Sequence, residues 1–416
     1  MVSFFTLNET KSDKISQNIY TCFSCSLYKD ADNPKMEPYG KFKKGILNIG
    51  MSPTAVDDRA GKPFQDENGR LLRRAYKKHG IDIYNDCLNI NAVNCYTQKI
   101  PTQHQVNCCR TKVLNVIKQY KPKIIVLLGM EAVQSIIGHR FKKDMENVHK
   151  WRGWTIPDRD LKAWVCPTLN LKYVHDSQFK EVGTIWSQDI ANIASLLDEP
   201  FPDFVDESKY ITYLDDPDIN ESEFTAVIDH IITDHDLAFF DYEITGLKPY
   251  SGNHEILCCS IAVSPTKCYS FKFPKNKRSR EKFNEFLKSP IIGKGAANMK
   301  FEQTWSVIEC KTGVYPWVWD TMLGAHALDN RPNITSLKFQ TYIRFGVVDY
   351  DSHLDTYKKS IDGTTHGLNR FQEYIAKNGI KNLLTYCGLD SIYTYKIGLW
   401  QMSQFGFDYK KGGILI

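Results

Sequence analysis

The stretch Leu237-Ala238-Phe239-Phe240-Asp241-Tyr242-Glu243-Ile244 constrains this chain more than any other. Its apolar opening follows the polar run Thr233-Asp234-His235-Asp236 and predicts a buried strand. Successive side chains of a strand point to opposite faces, so Asp241 and Glu243 are expected on one face at the strand's end. Two carboxylates side by side repel unless a cation lies between them, which makes the pair a candidate divalent-metal site. Alone, the pattern fits a solvated strand edge as well.

Spacing downstream adds to it. Pro290-Ile291-Ile292-Gly293 predicts a parallel strand, and Asn298-Met299-Lys300-Phe301-Glu302 follows it. Asp320-Thr321-Met322-Leu323 comes next. A helical pattern over residues 381–400 holds Tyr386 and Asp390, four apart and therefore on one helix face. The ordered set Asp241, Glu243, Glu302, Tyr386 and Asp390 resembles the 3′→5′ proofreading exonucleases of the DEDD group, tyrosine branch, as found in family-A DNA polymerases. The resemblance covers about residues 203–400. It implies a mixed-sheet, ribonuclease-H-like domain acting as a 3′→5′ exodeoxyribonuclease on single-stranded or frayed 3′ ends of DNA, with two Mg2+ or Mn2+ ions. It also implies roles. Asp241 would bridge both ions, and Glu243 and Asp390 would support the one that activates water. Glu302 would hold the second ion through its water shell, and Tyr386 would orient the water. Asn298 and Thr245 would lie near the terminal nucleotide. The sequence departs from the family at one motif. The third acid is usually Asp, in an H-N-x-x-F-D pattern, whereas Glu302 fills it here and Ala297 replaces the His. Glutamate is one methylene longer but still a hard oxygen ligand, so metal binding is expected to survive.

The 416-residue chain is long enough for two domains with full cores. Residues 1–200 carry 29 Lys/Arg against 21 Asp/Glu, and the remainder 24 against 27. A basic first half suits a polyanionic partner and an acidic second half a metal site, although so small an imbalance is also ordinary surface. No apolar run reaches the length of a membrane span, and residues 1–10 lack the charged start and apolar core of a secretion signal. Twelve cysteines without such a signal point to a reducing, cytoplasmic setting (the host cytoplasm for a viral chain) with thiols used for metal.

Cys22-Phe23-Ser24-Cys25 precedes the first strand pattern, whereas a thioredoxin-like pair sits at a strand-to-helix turn. Zinc sites usually show a second tight pair, which is missing. Cys95 and the doublet Cys108-Cys109 lie far downstream; such wide separation suits an iron–sulfur cluster, the alternative being buried, unliganded cysteines. Strands are predicted over residues 45–50, 87–93 and 123–129, and helices over 69–78, 102–120 and 130–137. The all-apolar run Ile124-Ile125-Val126-Leu127-Leu128 is typical of a parallel sheet, so a doubly wound α/β layer is expected.

Residues 20–195 resemble the family-four, iron–sulfur uracil-DNA glycosylases. The match runs through Cys22/Cys25, Gly50, Gly61-Lys62-Pro63-Phe64, Asn91-Ala92-Val93-Asn94-Cys95 and Pro122-Lys123-Ile124-Ile125-Val126-Leu127-Leu128-Gly129. It implies a 4Fe-4S cluster on Cys22, Cys25, Cys95 and Cys109, a stacking ring at Phe64 and a pyrimidine reader at Asn91. Two positions depart. Met51 stands where the family has an acid after Gly50, and Asn170, in Thr168-Leu169-Asn170-Leu171, replaces the His of its T-x-H-P motif. Methionine neither holds water nor balances a cation, and asparagine donates a hydrogen bond without charge. The expected result is a domain that grips DNA without efficient uracil excision. Two other readings stay open: a bifunctional enzyme that also removes uracil, and a non-enzymatic replication scaffold in which Glu302 marks decay of the nuclease.

Residues 35–123 hold 17 Lys/Arg against 7 acids and offer phosphate contacts; Trp151-Arg152-Gly153-Trp154 suits either base stacking or hairpin packing. Domains are expected over residues 1–197 and 209–416, joined by an acidic, proline-bearing linker at 198–208. Expected partners are DNA and a separate DNA polymerase or other replication proteins, with no membrane. The layout resembles proteins of large DNA phages.

Overall fold

The computed structural model describes residues 20–141, 145, 147–251, 253–359 and 368–411. The expectation about a secretion signal at residues 1–10 lies outside them. Two compact units emerge. One joins the described residues up to His139 with Pro167–Leu197; the other joins Arg140–Cys166 with the described residues from Asp198 onward. The segment 140–166 thus groups with the second unit, although the sequence places it inside the first domain.

The first unit is built on three parallel strands, β1 (Ile46–Gly50), β2 (Cys87–Asn91) and β3 (Ile124–Leu128), in the order β2-β1-β3. Every residue of the three is buried, as expected of a parallel layer covered on both faces. Two mid-strand asparagines tolerate this because they answer each other. Asn48 Nδ2 donates to Asn89 Oδ1 at 2.9 Å, and the Tyr76 hydroxyl donates to Asn48 Oδ1 at 2.7 Å. Tyr76 comes from the helix Glu67–Lys77, which Asp66 starts by accepting from Gly69 N. A Thr102/Gln105 capping box opens the helix Gln103–Tyr120, and Lys121 ends it in the left-handed region just before Pro122. Strand order reverses between β1 and β3. Gly50, Asn91 and Gly129 lie at the carboxyl ends of the strands, where open α/β sheets bind ligands.

The second unit holds the antiparallel hairpin of β4 (Ile156–Asp158) and β5 (Ala163–Thr168), the last two residues of β5 counting with the first unit. Its main sheet comprises β6 (Ile211–Tyr213), β7 (Leu237–Ile244), β8 (Ile256–Ser264), β9 (Lys267–Lys272), β10 (Gly293–Ala296) and β11 (Trp317–Asp320). The order is β11-β10-β7-β8-β9-β6, with β8 antiparallel to both neighbours and the other pairs parallel. Apart from the edge strand β6, this is the ribonuclease-H-like arrangement that the resemblance implies. One face of the sheet buries Phe240, Tyr242 and Phe271 with Phe283 and Phe286 of the helix Lys277–Lys288. The other receives the long helix Lys381–Gln404 against Phe239 and Ile211.

Several expectations are corrected. The strand predicted to start at Pro290 starts at Gly293. Gly-Lys-Gly-Ala is a weak strand former by propensity, but packing decides here. A Cβ at Gly295 would fall 2.3 Å from the Phe239 ring, and one at Gly398 of the long helix 2.4 Å from it, so the ring is gripped from both sides by backbone. Lys294 is buried in this strand because its amine donates to Ser289 O and Tyr315 O, each at 2.6 Å; burial pushes it down to about 7. Trp151 is wholly buried against Phe141, Phe339 and Tyr342, so it is not available to stack on a base. Trp154 lies under the Arg331 guanidinium at 4.6 Å. The acidic segment after Asp198 is anchored by Glu207, which is buried and paired to Arg159 at 2.7 Å and Lys396 at 3.1 Å. Among the described residues no helix is long and apolar enough to cross a membrane.

Candidate metal centre and base pocket

Strand alternation on β7 turns Asp241 and Glu243 toward the long helix. There the Cys387 thiol donates to Asp241 O at 3.5 Å. One ligand atom each from Asp241, Glu243 and Cys387 lie within 4.8 Å of one another. Asp390, one turn on, is close enough that its charge raises the carboxyls of both Asp241 and Glu243. Asp390 Oδ1 accepts from Lys338 Nζ at 3.0 Å and from the Tyr350 hydroxyl. Tyr386 is buried, and burial first, then Asp390 and Glu243, hold its hydroxyl well above the usual phenol range.

Glu302 arrives from the first turn of the helix Met299–Glu309. Its Oε2 is buried and has no hydrogen-bond partner, and the Asp241 carboxylate adds to burial in raising its carboxyl. The turn that delivers it is Asn298, half-buried and left-handed at φ 74°. Asp320, at the end of β11, braces that turn by accepting from Asn298 N at 3.1 Å and Met299 N at 3.0 Å. It also caps the helix Thr321–Leu328 through Met322 N at 2.8 Å. Asp320 is thereby engaged by backbone, while Glu302 keeps an oxygen free.

Burial is the first cause that raises the carboxyls of Asp241, Glu243 and Glu302 well above the usual carboxylate range. Asp390 adds to the rise at Asp241, and Asp241 adds to it at Glu243 and Glu302. The Lys338 ammonium opposes it at Asp241 and Glu243. Packed acids with one buried, unpaired oxygen have a composition that hard divalent ions satisfy.

Of the residues expected from the sequence, Asp241 and Glu243 fall in one set of donors with Cys387, while Glu302, Tyr386 and Asp390 couple to them electrostatically without joining that set. Thr245 is differently employed: its hydroxyl accepts from Glu255 N at 2.8 Å and its carbonyl from Asn369 N at 2.8 Å, tying down the end of β7. Lys338 and Tyr350 are residues that sequence reasoning missed, and Cys387, which the sequence reads as a core residue without ligand spacing, stands among the acids. Lys338 Nζ stands 3.5 Å from the Tyr350 ring centre and 4.3 Å from that of Tyr386. The Ser336 cap and the apolar spacing of the helix Leu337–Phe345 were readable, but no spacing announces which distant acid a lysine meets.

In the first unit, a Cβ at Gly50 would lie 2.3 Å from Asn91 Oδ1 and 3.0 Å from the Phe64 ring, so only a glycine lets the amide and the ring close over the backbone here. Phe64 itself is left-handed at φ 62°, and its carbonyl accepts from Arg73 at 2.6 Å and the Tyr84 hydroxyl at 3.0 Å. Asn170 caps the helix Leu171–Asp176 through Lys172 N at 2.9 Å and turns its Nδ2 to the Met51 sulfur at 3.8 Å. The two positions that depart from the glycosylase pattern thus touch each other.

Cys22 and Cys25 open and close a short helix capped by Thr21. The Cys109 thiol, which burial above all pushes up to about 12, is raised further by Cys25, Cys95 and Cys22. Cys95 sulfur accepts the Lys35 amide at 3.2 Å. Cys108 is held by Ser24 Oγ at 3.4 Å and His104 Nε2 at 3.5 Å. Among the described residues no three cysteine sulfurs lie within 4.8 Å of one another.

The family model of the uracil DNA glycosylase superfamily matches residues 37–186. The type-4 uracil-DNA glycosylase of Pyrobaculum aerophilum is 30% identical over 135 residues, covering 31% of this chain and 68% of that protein. The type-4 uracil-DNA glycosylase of Archaeoglobus fulgidus is 26% identical over 187 residues, covering 42% and 92%. Among solved structures, Escherichia coli RNase D, an exoribonuclease involved in structured RNA processing, aligns with a TM-score of 0.35 at 10% identity. That alignment covers 47% of this chain and 45% of RNase D, so the chain spans less than half of that relative's length.

Proposed function

Through residues 37–186 this chain belongs to the uracil DNA glycosylase superfamily, and from that membership we propose a two-part DNA-processing enzyme. The second unit removes nucleotides from DNA 3′ ends by metal-dependent hydrolysis. The first unit grips DNA without releasing uracil. The observation that carries the nuclease reading is the convergence of Asp241, Glu243, Glu302 and Asp390, drawn from three separate stretches, with Glu302 Oε2 buried and unpaired.

Divalent ions held by these four acids would stabilise the negative charge that builds on the attacking and departing oxygens of the phosphodiester. The protein's own groups do the rest. Tyr386, beside Asp390 and Glu243, orients the attacking water. Lys338 and Tyr350 fix Asp390 by one oxygen and leave the other for the site. Asn298, at the turn, faces the terminal nucleotide. In replication or repair, such an enzyme would trim 3′ ends for a separate polymerase. The test is digestion of end-labelled single-stranded DNA and RNA by the purified chain. Mononucleotides should be released from DNA 3′ ends with Mn2+ or Mg2+ and not with a chelator. Release that persists in chelator, or starts at 5′ ends, would overturn the reading.

For the first unit, we read Phe64 and Asn91, which meet at Gly50, as the groups that hold a base, while Met51 and Asn170 lack the charges that drive its departure. Cys22, Cys25, Cys95 and Cys109 would hold a 4Fe-4S cluster, with the Lys35 amide on the Cys95 sulfur as the kind of donor such sulfurs attract. Cys109→Ser is expected to lose the iron and its visible absorption, and Cys108→Ser to keep both. The reverse pattern would reassign the fourth ligand.

A further inference from the structure

The Cys387 thiol has no part in the hydrolysis described so far, yet it stands inside the acid cluster. On the long helix it is three residues before Asp390 and so shares its face. Its sulfur lies 3.8 Å from Asp241 Oδ2, and it groups with Asp241 and Glu243 as a three-donor set. Two donors bound at roughly 2.0–2.4 Å to one ion are at most about 4.8 Å apart, so these three donors lie within the reach of a single ion. A second, independent observation points to a ligand at the same place: Glu302 Oε2, buried and unpaired, lies under the influence of Asp241.

We propose that Cys387 is a ligand of the ion held by Asp241 and Glu243. The centre then binds softer divalent ions such as cadmium, cobalt and zinc more tightly than its carboxylates alone would, while Mg2+ and Mn2+ still occupy it. Thiolate is a soft donor, and mixed sulfur and oxygen sites favour the softer ions, whereas an all-oxygen site favours magnesium and manganese. The inference rests on the metal-centre reading above and adds a donor to it.

The experiment uses the full chain with its cysteine cluster loaded, titrated with Co2+ and followed by difference absorption. Wild type should develop a thiolate-to-cobalt charge-transfer band that is absent in Cys387→Ser and in Cys387→Ala. Two variants guard against one that misfolds, and circular dichroism checks both. By calorimetry, Cys387→Ser should weaken Cd2+ binding at least about tenfold and Mg2+ binding far less. An undiminished band in both variants, or unchanged Cd2+ affinity, would overturn the proposal. Asp241→Asn separates the two levels. If Mn2+ binding depends on Asp241 but cobalt yields no Cys387-dependent band, the thiol is not a ligand and the nuclease reading stands. If Asp241→Asn leaves all divalent binding intact, the centre itself fails and the thiol inference with it.

Discussion

Asp241→Asn is expected to lower metal-dependent nucleotide release from DNA 3′ ends by about 10³-fold or more, on the order of 4 kcal/mol of lost transition-state stabilisation. The amide is nearly isosteric, so the fold should persist, but it removes the charge that Glu243, Glu302 and Asp390 surround. The effect belongs in kcat; DNA affinity, which we propose rests largely on the first unit, should change little. Single-turnover digestion and filter binding on the same oligonucleotide measure both. A variant within tenfold of wild type would remove Asp241 from the chemistry.

The same substitution has a signature in stability. Asp241, Glu243 and Glu302 are raised in the folded state, so their contribution is fully present below the ordinary carboxylate range. It is lost as pH climbs through their raised values. Metal-free protein should therefore melt at progressively lower temperature as pH rises through that window. Asp241→Asn should flatten the slope, and added Mn2+ should raise the wild-type Tm most at the alkaline end. A metal response that is equal at both ends would speak against a shared ion.

The second large effect is a gain. Met51→Glu combined with Asn170→His is expected to raise uracil release from a uracil-containing oligonucleotide by about 10²-fold or more, the scale of a restored acid–base group. Phe64 and Asn91, which we propose hold the base, already meet at Gly50. The change has a cost, because Asn170 caps the helix Leu171–Asp176, and losing such a cap destabilises by about 1 kcal/mol. Built on Asp241→Asn to suppress digestion, the protein can be assayed by alkaline cleavage at abasic sites. Excision by the unmodified first unit at the same rate would show that neither position had been disabling.

What the sequence revealed and what it hid divide along physical lines. The acids of β7 and the long helix were legible because alternation and the four-residue turn are local, and each places a side chain without knowledge of the rest of the fold. The three parallel strands were legible for the same reason. β10 was misplaced because its residues have little intrinsic taste for a strand; the Phe239 ring and the neighbouring strands select them. Lys338 and Tyr350 were invisible because their meaning is a contact with Asp390 across 52 and 40 residues of chain. Trp151 read as a candidate stacking platform, since burial by Phe339 and Tyr342 depends on an association that no nearby residue announces.

The placement of residues 140–166 bears on how the molecule can be dissected. Arg140 binds Asp158 within that segment, and Asp158 in turn accepts from the Tyr342 hydroxyl at 3.0 Å. Arg159 reaches Glu207 and the Phe345 carbonyl. A fragment begun at residue 198 discards all of these groups at once and strips Tyr342 and Glu207 of their buried counterparts. Cutting the chain at residue 198 is therefore expected to cost the downstream fragment stability, since it leaves the Tyr342 hydroxyl without Asp158 and Glu207 without Arg159.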